Sequence, residues 1–134
     1  MIRMQFSGPR ILVVDDEPTI LFALREYLST CGFVIECAEN LETALAKLAS
    51  ASFALVIADL RLTGSGGTEG LAVLAEIRRS HPGTRAILLT AYRTLDIERE
   101  ARALCVDAVI AKPISLPELA QIAYSLVLKN PDAD

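Results

Sequence analysis

Short apolar runs alternate with amphipathic segments along most of this chain. Runs rich in branched aliphatic residues predict strands, and a run without polar alternation is typical of a strand buried on both faces. The second run is only partly apolar, whereas the third is apolar without a break until it ends at Asp59. The predicted strands span residues 11–14, 33–38, 53–59, 86–89 and 108–111.

A segment with apolar residues at helical spacing follows each predicted strand. Residues suited to helix ends flank these segments, including short polar side chains that can accept a hydrogen bond from the first turn. They are Pro18 and Gly32 for the first helix, Asn40 for the second, Thr94 for the fourth, and Ser115 with Glu118 for the fifth. A loop over residues 60–70, rich in glycine, precedes the third helix, which we expect after Gly70.

This alternation predicts an α/β fold. Five strand and helix units follow one another without the turn dipeptides that form hairpins, so we expect a doubly wound parallel sheet of five strands with five flanking helices. At 134 residues and 52% hydrophobic content, the chain suits one domain. We expect that domain over residues 8–130, with residues 1–7 and 131–134 as terminal extensions.

Composition narrows the classes of function. The formal net charge of -4 and the scattered arginines argue against electrostatic capture of nucleic acid. The three cysteines lack metal-ligand spacing and fit reduced thiols. No segment approaches the roughly 20 apolar residues of a membrane helix, and the first eight residues lack a signal-peptide pattern. We therefore expect a cytoplasmic protein that does not enter membranes.

Polar residues with related chemistry follow four of the predicted strands. They are Asp15 and Asp16 after the first, Asp59 at the end of the third, Thr90 after the fourth and Lys112 after the fifth. Parallel strands end at one edge of the sheet, so these side chains should meet there. Three carboxylates suit a hard cation such as Mg²⁺, and a lysine with a hydroxyl suits a transferring phosphoryl group. Asp59 is the best candidate nucleophile because it ends the central strand.

The order and spacing of these residues along the chain resemble those of the receiver domain of bacterial two-component response regulators, the CheY-like family. The resemblance covers residues 10–128. It implies a flavodoxin-like sheet of order 2-1-3-4-5. It also implies that Asp59 accepts a phosphoryl group from a phosphohistidine on a sensor histidine kinase or a histidine phosphotransfer protein.

The resemblance assigns roles to the other residues of the set. It implies that Asp16, Asp59 and the backbone carbonyl of Arg61 bind Mg²⁺ directly, while Asp15 assists through water. Lys112 would pair with the phosphoryl group, and the Lys112–Pro113 peptide would be cis.

The resemblance also implies a conformational switch. On phosphorylation the Thr90 hydroxyl, the Ala91 N–H and Lys112 would close on the new oxygens. Residues 95–128 would carry the signal to a downstream target protein or to an output domain outside this sequence, and would support a weak homodimer. Whether the chain is free-standing or part of a longer regulator stays open.

Several positions depart from the family pattern. Val109 replaces a common aromatic residue, so an aromatic switch cannot be assumed, and Val109 is best interpreted as core. Thr63 stands where a proline is usual, in a loop about three residues longer than the common pattern. Cys105 and Val106 replace Gly-Ala, which leaves open a different shape for the end of the fourth helix.

Arg61 and Tyr92 are large side chains that border the path of the hydrolytic water in this family. Our hypothesis is that they slow self-dephosphorylation by hindering that water. The alternative is that both are ordinary surface residues.

Three other functions compete with the phosphorylated switch. A pseudo-receiver would bind proteins without phosphorylation, but the complete acidic, hydroxyl and lysine set argues against it. An aspartate-nucleophile phosphatase usually carries Asp-x-Asp after its first strand, whereas Asp15 and Asp16 are adjacent. A flavin module needs a first loop that accepts phosphate, and this acidic loop would repel it. We expect no enzyme activity beyond self-catalysed phosphoryl acceptance and autodephosphorylation, and no direct binding of nucleic acid.

Overall fold

The computed structural model describes residues 8–62 and 67–128. Within them, five parallel strands form one sheet of order β2-β1-β3-β4-β5, and five helices flank it. The strands are β1 (Arg10–Val14), β2 (Val34–Ala38), β3 (Leu55–Asp59), β4 (Arg85–Thr90) and β5 (Ala108–Ala111). The helices are α1 (Pro18–Thr30), α2 (Leu41–Ser50), α3 (Glu69–Ser80), α4 (Leu95–Ala103) and α5 (Leu116–Leu128). The predicted fold class and strand order are confirmed.

The sheet separates two apolar cores. Leu12 and Val56 pack with buried residues of α2 and α3 on one face, whereas Ile11 and Leu55 pack with α1 and α5 on the other. Successive side chains of a strand point to opposite faces, so a strand covered on both sides must be apolar throughout. This explains why the central strand is an unbroken apolar run that ends at a carboxylate.

Three predicted helix caps are confirmed. The Asn40 side chain accepts a hydrogen bond from the Thr43 N–H at 2.8 Å. Thr94 caps α4 in the same way, through a 3.1 Å bond from the Ile97 N–H. The Ser115 hydroxyl accepts from the N–H of the residue three positions on, at 3.2 Å, at the start of α5. Each cap satisfies a donor that the first helical turn leaves free.

The structure moves several predicted boundaries. β2 and β3 begin after Phe33 and Phe53, which are buried but precede the paired residues. The third helix begins at Glu69, so Gly70 lies in its first turn and not in the loop. An apolar pattern indicates which residues are buried, but it does not indicate where the hydrogen bonds between neighbouring strands begin or where the first turn of a helix forms. This difference explains the shifted boundaries. Residues 63–66, with Thr63 and two of the loop glycines, lie outside the described residues.

The end of α4 takes a left-handed turn despite its sequence. Cys105 has a φ of 58°, a conformation that favours glycine. The Val106 N–H then donates to the Ala101 carbonyl at 3.1 Å, closing the helix end. The replacement of Gly-Ala by Cys105 and Val106 therefore leaves a left-handed backbone at this point and places a side chain on it.

No helix within residues 8–62 and 67–128 is both long and apolar enough to cross a membrane.

Candidate functional site

Three carboxylates converge at the carboxyl edge of the sheet. Asp15 and Asp16 follow β1, and Asp59 ends the neighbouring strand β3. One oxygen from each lies within 4.8 Å of the others. Asp15 is 1% exposed and Asp59 is 7% exposed, while Asp16 is partly buried. The structure thus brings together the acidic residues that the strand ends predict.

Lys112 reaches this cluster from the end of β5. Its Nζ lies 3.3 Å from Asp59 Oδ1 and 3.7 Å from Asp15 Oδ2. The Lys112 backbone N–H donates to the Thr90 carbonyl at 2.8 Å, which anchors the residue beside β4. The Lys112–Pro113 peptide is cis, as the resemblance implies. One ammonium therefore faces two buried carboxylates.

The positive charge of Lys112 does not fully compensate the negative charges of the carboxylates. Burial and the charge of Asp15 raise the pKa of Asp59 to about 6, against the opposing attraction of Lys112. Burial likewise raises the pKa of Asp15. Burial acts to lower the pKa of Lys112, but the charges of Asp59 and Asp15 outweigh it and the net change is upward. The cluster therefore favours a further positive charge.

The donor set fits a hard divalent cation. Asp15 Oδ1 accepts the Glu17 N–H at 2.9 Å, whereas its buried Oδ2 has no hydrogen-bond partner among the described residues. A buried oxygen without a hydrogen bond, in a cluster of three carboxylates, suits an oxygen-coordinated ion such as Mg²⁺.

A cleft of about 250 Å³ opens beside the cluster. It brings together residues that follow β1, β3, β4 and β5. The predicted site residues that line it are Asp16, Asp59, Arg61, Thr90, Ala91 and Lys112. Asp15 lies buried against Lys112. This volume is sufficient for a phosphoryl group.

The Thr90 hydroxyl is bonded to its own loop. It accepts the Tyr92 N–H at 3.0 Å and donates to the Tyr92 carbonyl at 3.0 Å. The position of Thr90 after the fourth predicted strand indicated that it would border the site. Nothing in the sequence indicated its hydrogen bonds with the Tyr92 backbone. The single hydroxyl proton of Thr90 is thus engaged by its own loop and must leave the Tyr92 carbonyl before it can be donated to a group on Asp59.

Arg61 and Tyr92 contact each other at the cleft. The guanidinium carbon of Arg61 lies 4.9 Å from the centroid of the Tyr92 ring, within the range of a cation–π contact. Tyr92 is 61% exposed, and both residues line the cleft. The sequence placed both residues near the site without indicating that they stack.

Gly70 was missed as a residue that shapes the site. A Cβ at this position would lie 2.3 Å from the Asp59 carbonyl oxygen, and the Gly70 N–H donates to the Leu60 carbonyl at 2.8 Å. The first turn of α3 therefore packs directly on the backbone of the candidate nucleophile. A glycine adjoining a helical apolar pattern can signal such a close approach, but the sequence pattern assigns Gly70 to the glycine-rich loop over residues 60–70.

Comparison with known proteins shows one consistent likeness. Residues 11–124 match the family model of the response regulator receiver domain. The response regulator protein PilR of Pseudomonas aeruginosa is 33% identical over 129 residues, which cover 96% of this chain and 28% of PilR. The transcriptional regulatory protein AruR of the same species is 37% identical over 126 residues, 89% of this chain and 49% of AruR. The chain thus spans about half or less of these relatives.

Solved structures agree with this likeness. The receiver domain protein (CheY-like) of Methanospirillum hungatei is 27% identical and superposes with a TM-score of 0.88. The superposition covers 96% of this chain and 100% of the other. The response regulator protein TrrA of Thermotoga maritima is 39% identical, with a TM-score of 0.76 over 88% and 98% of the two chains. TrrA was crystallised in complex with Mg²⁺ and BeF.

Proposed function

The chain belongs to the response regulator receiver domain family, and we propose that its Asp59 carboxylate is the phosphoryl acceptor. The observation that carries the proposal is the convergence of Asp59 with Asp15, Asp16 and the Lys112 ammonium at one edge of the sheet. Phosphoryl transfer requires a positioned nucleophile and compensation of the phosphoryl charge. Asp59 supplies the first, and Lys112 supplies part of the second.

In the proposed reaction, an Asp59 oxygen attacks the phosphorus of a phosphohistidine. The new O–P bond forms as the N–P bond breaks, and the imidazole leaves with the bonding electron pair and takes up a proton. Lys112 stands 3.3 Å from Asp59, where its ammonium can pair with the phosphoryl oxygens. Asp16, Asp59 and the Arg61 carbonyl would hold Mg²⁺, with Asp15 assisting through water. The bound ion would supply charge neutralisation for the phosphoryl oxygens.

Phosphorylation would then reorganise the loop after β4. The Thr90 hydroxyl would leave Tyr92 and join the Ala91 N–H and Lys112 around the phosphoryl group. Each charge-assisted hydrogen bond contributes about 1.5–3 kcal/mol, and inverting a 1:99 equilibrium needs about 5.5 kcal/mol. Two or three such contacts total about 3–9 kcal/mol, a range that includes this requirement. Val109 is partly buried and packs against the core, so the proposed switch assigns no role to an aromatic residue at this position.

The proposed partners follow from this role. The donor is a sensor histidine kinase or a histidine phosphotransfer protein, and the signal passes through residues 95–128 to a target protein or an output domain. We assign the receiver domain to residues 8–130 and place it in the cytoplasm. We propose no enzyme activity beyond phosphoryl acceptance and autodephosphorylation. Relatives such as AruR are transcriptional regulators, and we propose that direct nucleic-acid binding lies outside this domain.

Intact mass spectrometry after incubation with Mg²⁺ and acetyl phosphate tests the acceptor. We expect one labile phosphoryl adduct on the wild type and none on Asp59→Asn. Asp96→Asn is the matched control, because Asp96 is an exposed aspartate in the first turn of α4. An adduct that persists in Asp59→Asn would refute the assignment. A folded, Mg²⁺-binding wild type without any adduct would favour a pseudo-receiver.

Two further measurements separate the remaining alternatives. Sustained turnover of a phosphate ester would indicate a phosphatase and contradict the switch. Light scattering with and without a phosphoryl mimic tests the weak homodimer, and a monomer under both conditions would exclude it.

A further inference from the structure

An open groove lies between the turn after α1 and helix α5. The residues that line it are Cys31 and Phe33 of the turn and Pro117, Ala120, Gln121 and Tyr124 of the helix. None of the six is Asp, Glu, Lys, Arg or His. The Phe33 and Tyr124 rings meet edge to face with their centroids 6.3 Å apart, and Tyr124 is 54% exposed. This surface, the α5 groove, thus offers uncharged and partly aromatic side chains to an occupant.

The beginning of the described chain passes directly beside the α5 groove. Gly8 packs so closely on the turn after α1 that a Cβ there would lie 1.9 Å from the Gly32 carbonyl oxygen and 3.8 Å from the Phe33 Cα. The Pro9 carbonyl accepts the N–H of the first residue of β2 at 2.8 Å, which holds the chain in this position. Residues 1–7, which lie outside the described residues, are therefore attached at the edge of the groove.

The sequence before Gly8 alternates apolar and polar residues. The apolar residues Ile2, Met4 and Phe6 alternate with Arg3, Gln5 and Ser7. In an extended segment the members of such a set share one face, so the three apolar side chains would point the same way. An extended residue spans about 3.3–3.6 Å, which keeps the Phe6 Cα within about 7 Å of the Gly8 Cα. The segment can therefore place an apolar face on the groove without a connecting loop.

We propose that residues 2–6 bind along the α5 groove in an extended conformation, with the Phe6 ring beside Tyr124. The uncharged lining matches the apolar face of the segment, and contact between them removes apolar surface from water. Phe6 would add a third ring to the aromatic pair of the groove. Attachment at Gly8 makes the binding intramolecular, so this segment is present at a high effective concentration that a separate partner lacks.

Tryptophan fluorescence tests the position of the segment, because the chain has no tryptophan of its own. In the Phe6→Trp protein, the indole should emit at shorter wavelength and be quenched by acrylamide roughly threefold less than in a free peptide of residues 1–8 with the same substitution, since the groove shields it from water. Gln5→Trp is the matched control. Its side chain lies on the opposite face of an extended segment, so it should be quenched as readily as its own peptide.

Substitutions in the groove make the test specific. Tyr124→Ala removes one of the two groove rings and should raise the quenching of the Phe6→Trp protein to the level of the peptide, with folding checked by circular dichroism. Gln121→Glu places a charge in the groove at an exposed position and should act in the same direction if the Tyr124 variant fails to fold. Phe22→Ala is the control, because Phe22 is 65% exposed and lines a different groove.

Each outcome decides the proposal. Protection in the Phe6→Trp protein that is lost in the groove variants, retained in Phe22→Ala and independent of protein concentration supports it. Equal quenching of the protein and the peptide overturns it, and so does protection that survives both groove substitutions. Protection that grows with concentration, together with a dimer in light scattering, would show that the segment binds a second copy, and it overturns the intramolecular contact. No readout involves Asp59, so the result is independent of the proposed phosphoryl acceptor.

Discussion

The guanidinium of Arg61 lies over the Tyr92 ring, with 4.9 Å between the guanidinium carbon and the ring centroid. Both residues line the cleft that contains Asp59. The contact joins the loop after β3 to the loop after β4. We therefore expect the two side chains to act as a pair on the approach of water to the cleft.

Breaking this pair should shorten the life of the phosphoryl group. In the shielding hypothesis the pair must open to admit water, so losing an exposed cation–π contact of about 0.5–1 kcal/mol raises the open population, and with it the hydrolysis rate, about two- to fivefold. We expect Arg61→Ala and Tyr92→Ala each to accelerate dephosphorylation by about that factor, with little added effect in the double variant. Decay of the adduct followed by mass spectrometry measures this. Arg93→Ala is the control, and equal decay in all four variants and the wild type would refute the shielding role.

Removing the Asp59 charge should stabilise the metal-free fold. The folded-state pKa of Asp59 is raised to about 6 from an ordinary value of 3.8, so the folded protein binds more protons than the unfolded chain between these values. Stability of the wild type therefore falls as pH rises from about 4 to 6, and the full cost persists above pH 6.

Urea unfolding in EDTA checks this sign. At pH 7.5, Asp59→Asn should exceed the wild type in the free energy of unfolding by roughly 1–3 kcal/mol, and the difference should shrink towards zero near pH 4. Asp96→Asn should show no such pH-dependent gain. A wild type that is more stable than Asp59→Asn at pH 7.5 would contradict an unfavourable buried charge.

Mg²⁺ should stabilise the fold through the acidic cluster. A ligand at ten times its Kd adds about 1.4 kcal/mol, which raises the Tm of a domain of this size by roughly 5 °C. Asp16→Asn should remove most of that shift. Glu17→Gln is a close control, because Glu17 lines the same cleft but is not among the proposed ligands. An equal loss in both variants, measured by thermal unfolding with Mg²⁺ and with EDTA, would argue for diffuse charge screening.

A side chain at Gly70 should disturb the phosphoryl acceptor. The added Cβ of Gly70→Ala would lie 2.3 Å from the Asp59 carbonyl oxygen and 2.8 Å from the Leu60 Cα, so backbone must move. We expect a loss of about 1–3 kcal/mol in unfolding free energy, together with slower phosphoryl uptake. In Gly67→Ala the three nearest neighbours of the new atom are side-chain atoms of Glu69 and include no backbone atom, so we expect a smaller cost. Similar stabilities for the two variants would show that α3 can withdraw without cost.

Cys105→Gly should stabilise the protein. A residue with a Cβ in the left-handed region costs about 1–2 kcal/mol, and the greater freedom of glycine in the unfolded chain offsets part of the gain. We expect a net increase of roughly 0.5–1 kcal/mol in urea unfolding. Cys105→Ala keeps the Cβ and should give no gain. A glycine variant less stable than the alanine variant would mean that the φ of 58° carries little strain.

Much of the fold was determined by the sequence alone, because its signals are local. The apolar runs marked the strands, and Asn40, Thr94 and Ser115 marked helix starts, since a cap acts on a donor only a few residues away. The convergence of the candidate site residues was also predictable, because each ends or follows a parallel strand and such ends share one edge of the sheet. Boundaries that depend on pairing, such as the starts of β2 and β3, were not.

The tertiary structure decided what these residues do to one another. The stacking of Arg61 on Tyr92, the approach of Gly70 to Asp59 and the raised pKa of Asp59 depend on distances between segments far apart in the chain. The ends of the strands predict which residues meet at an edge of the sheet. They do not predict how much space surrounds those residues or how deeply their side chains are buried. Packing sets both quantities, so the electrostatics of the site emerged only in three dimensions.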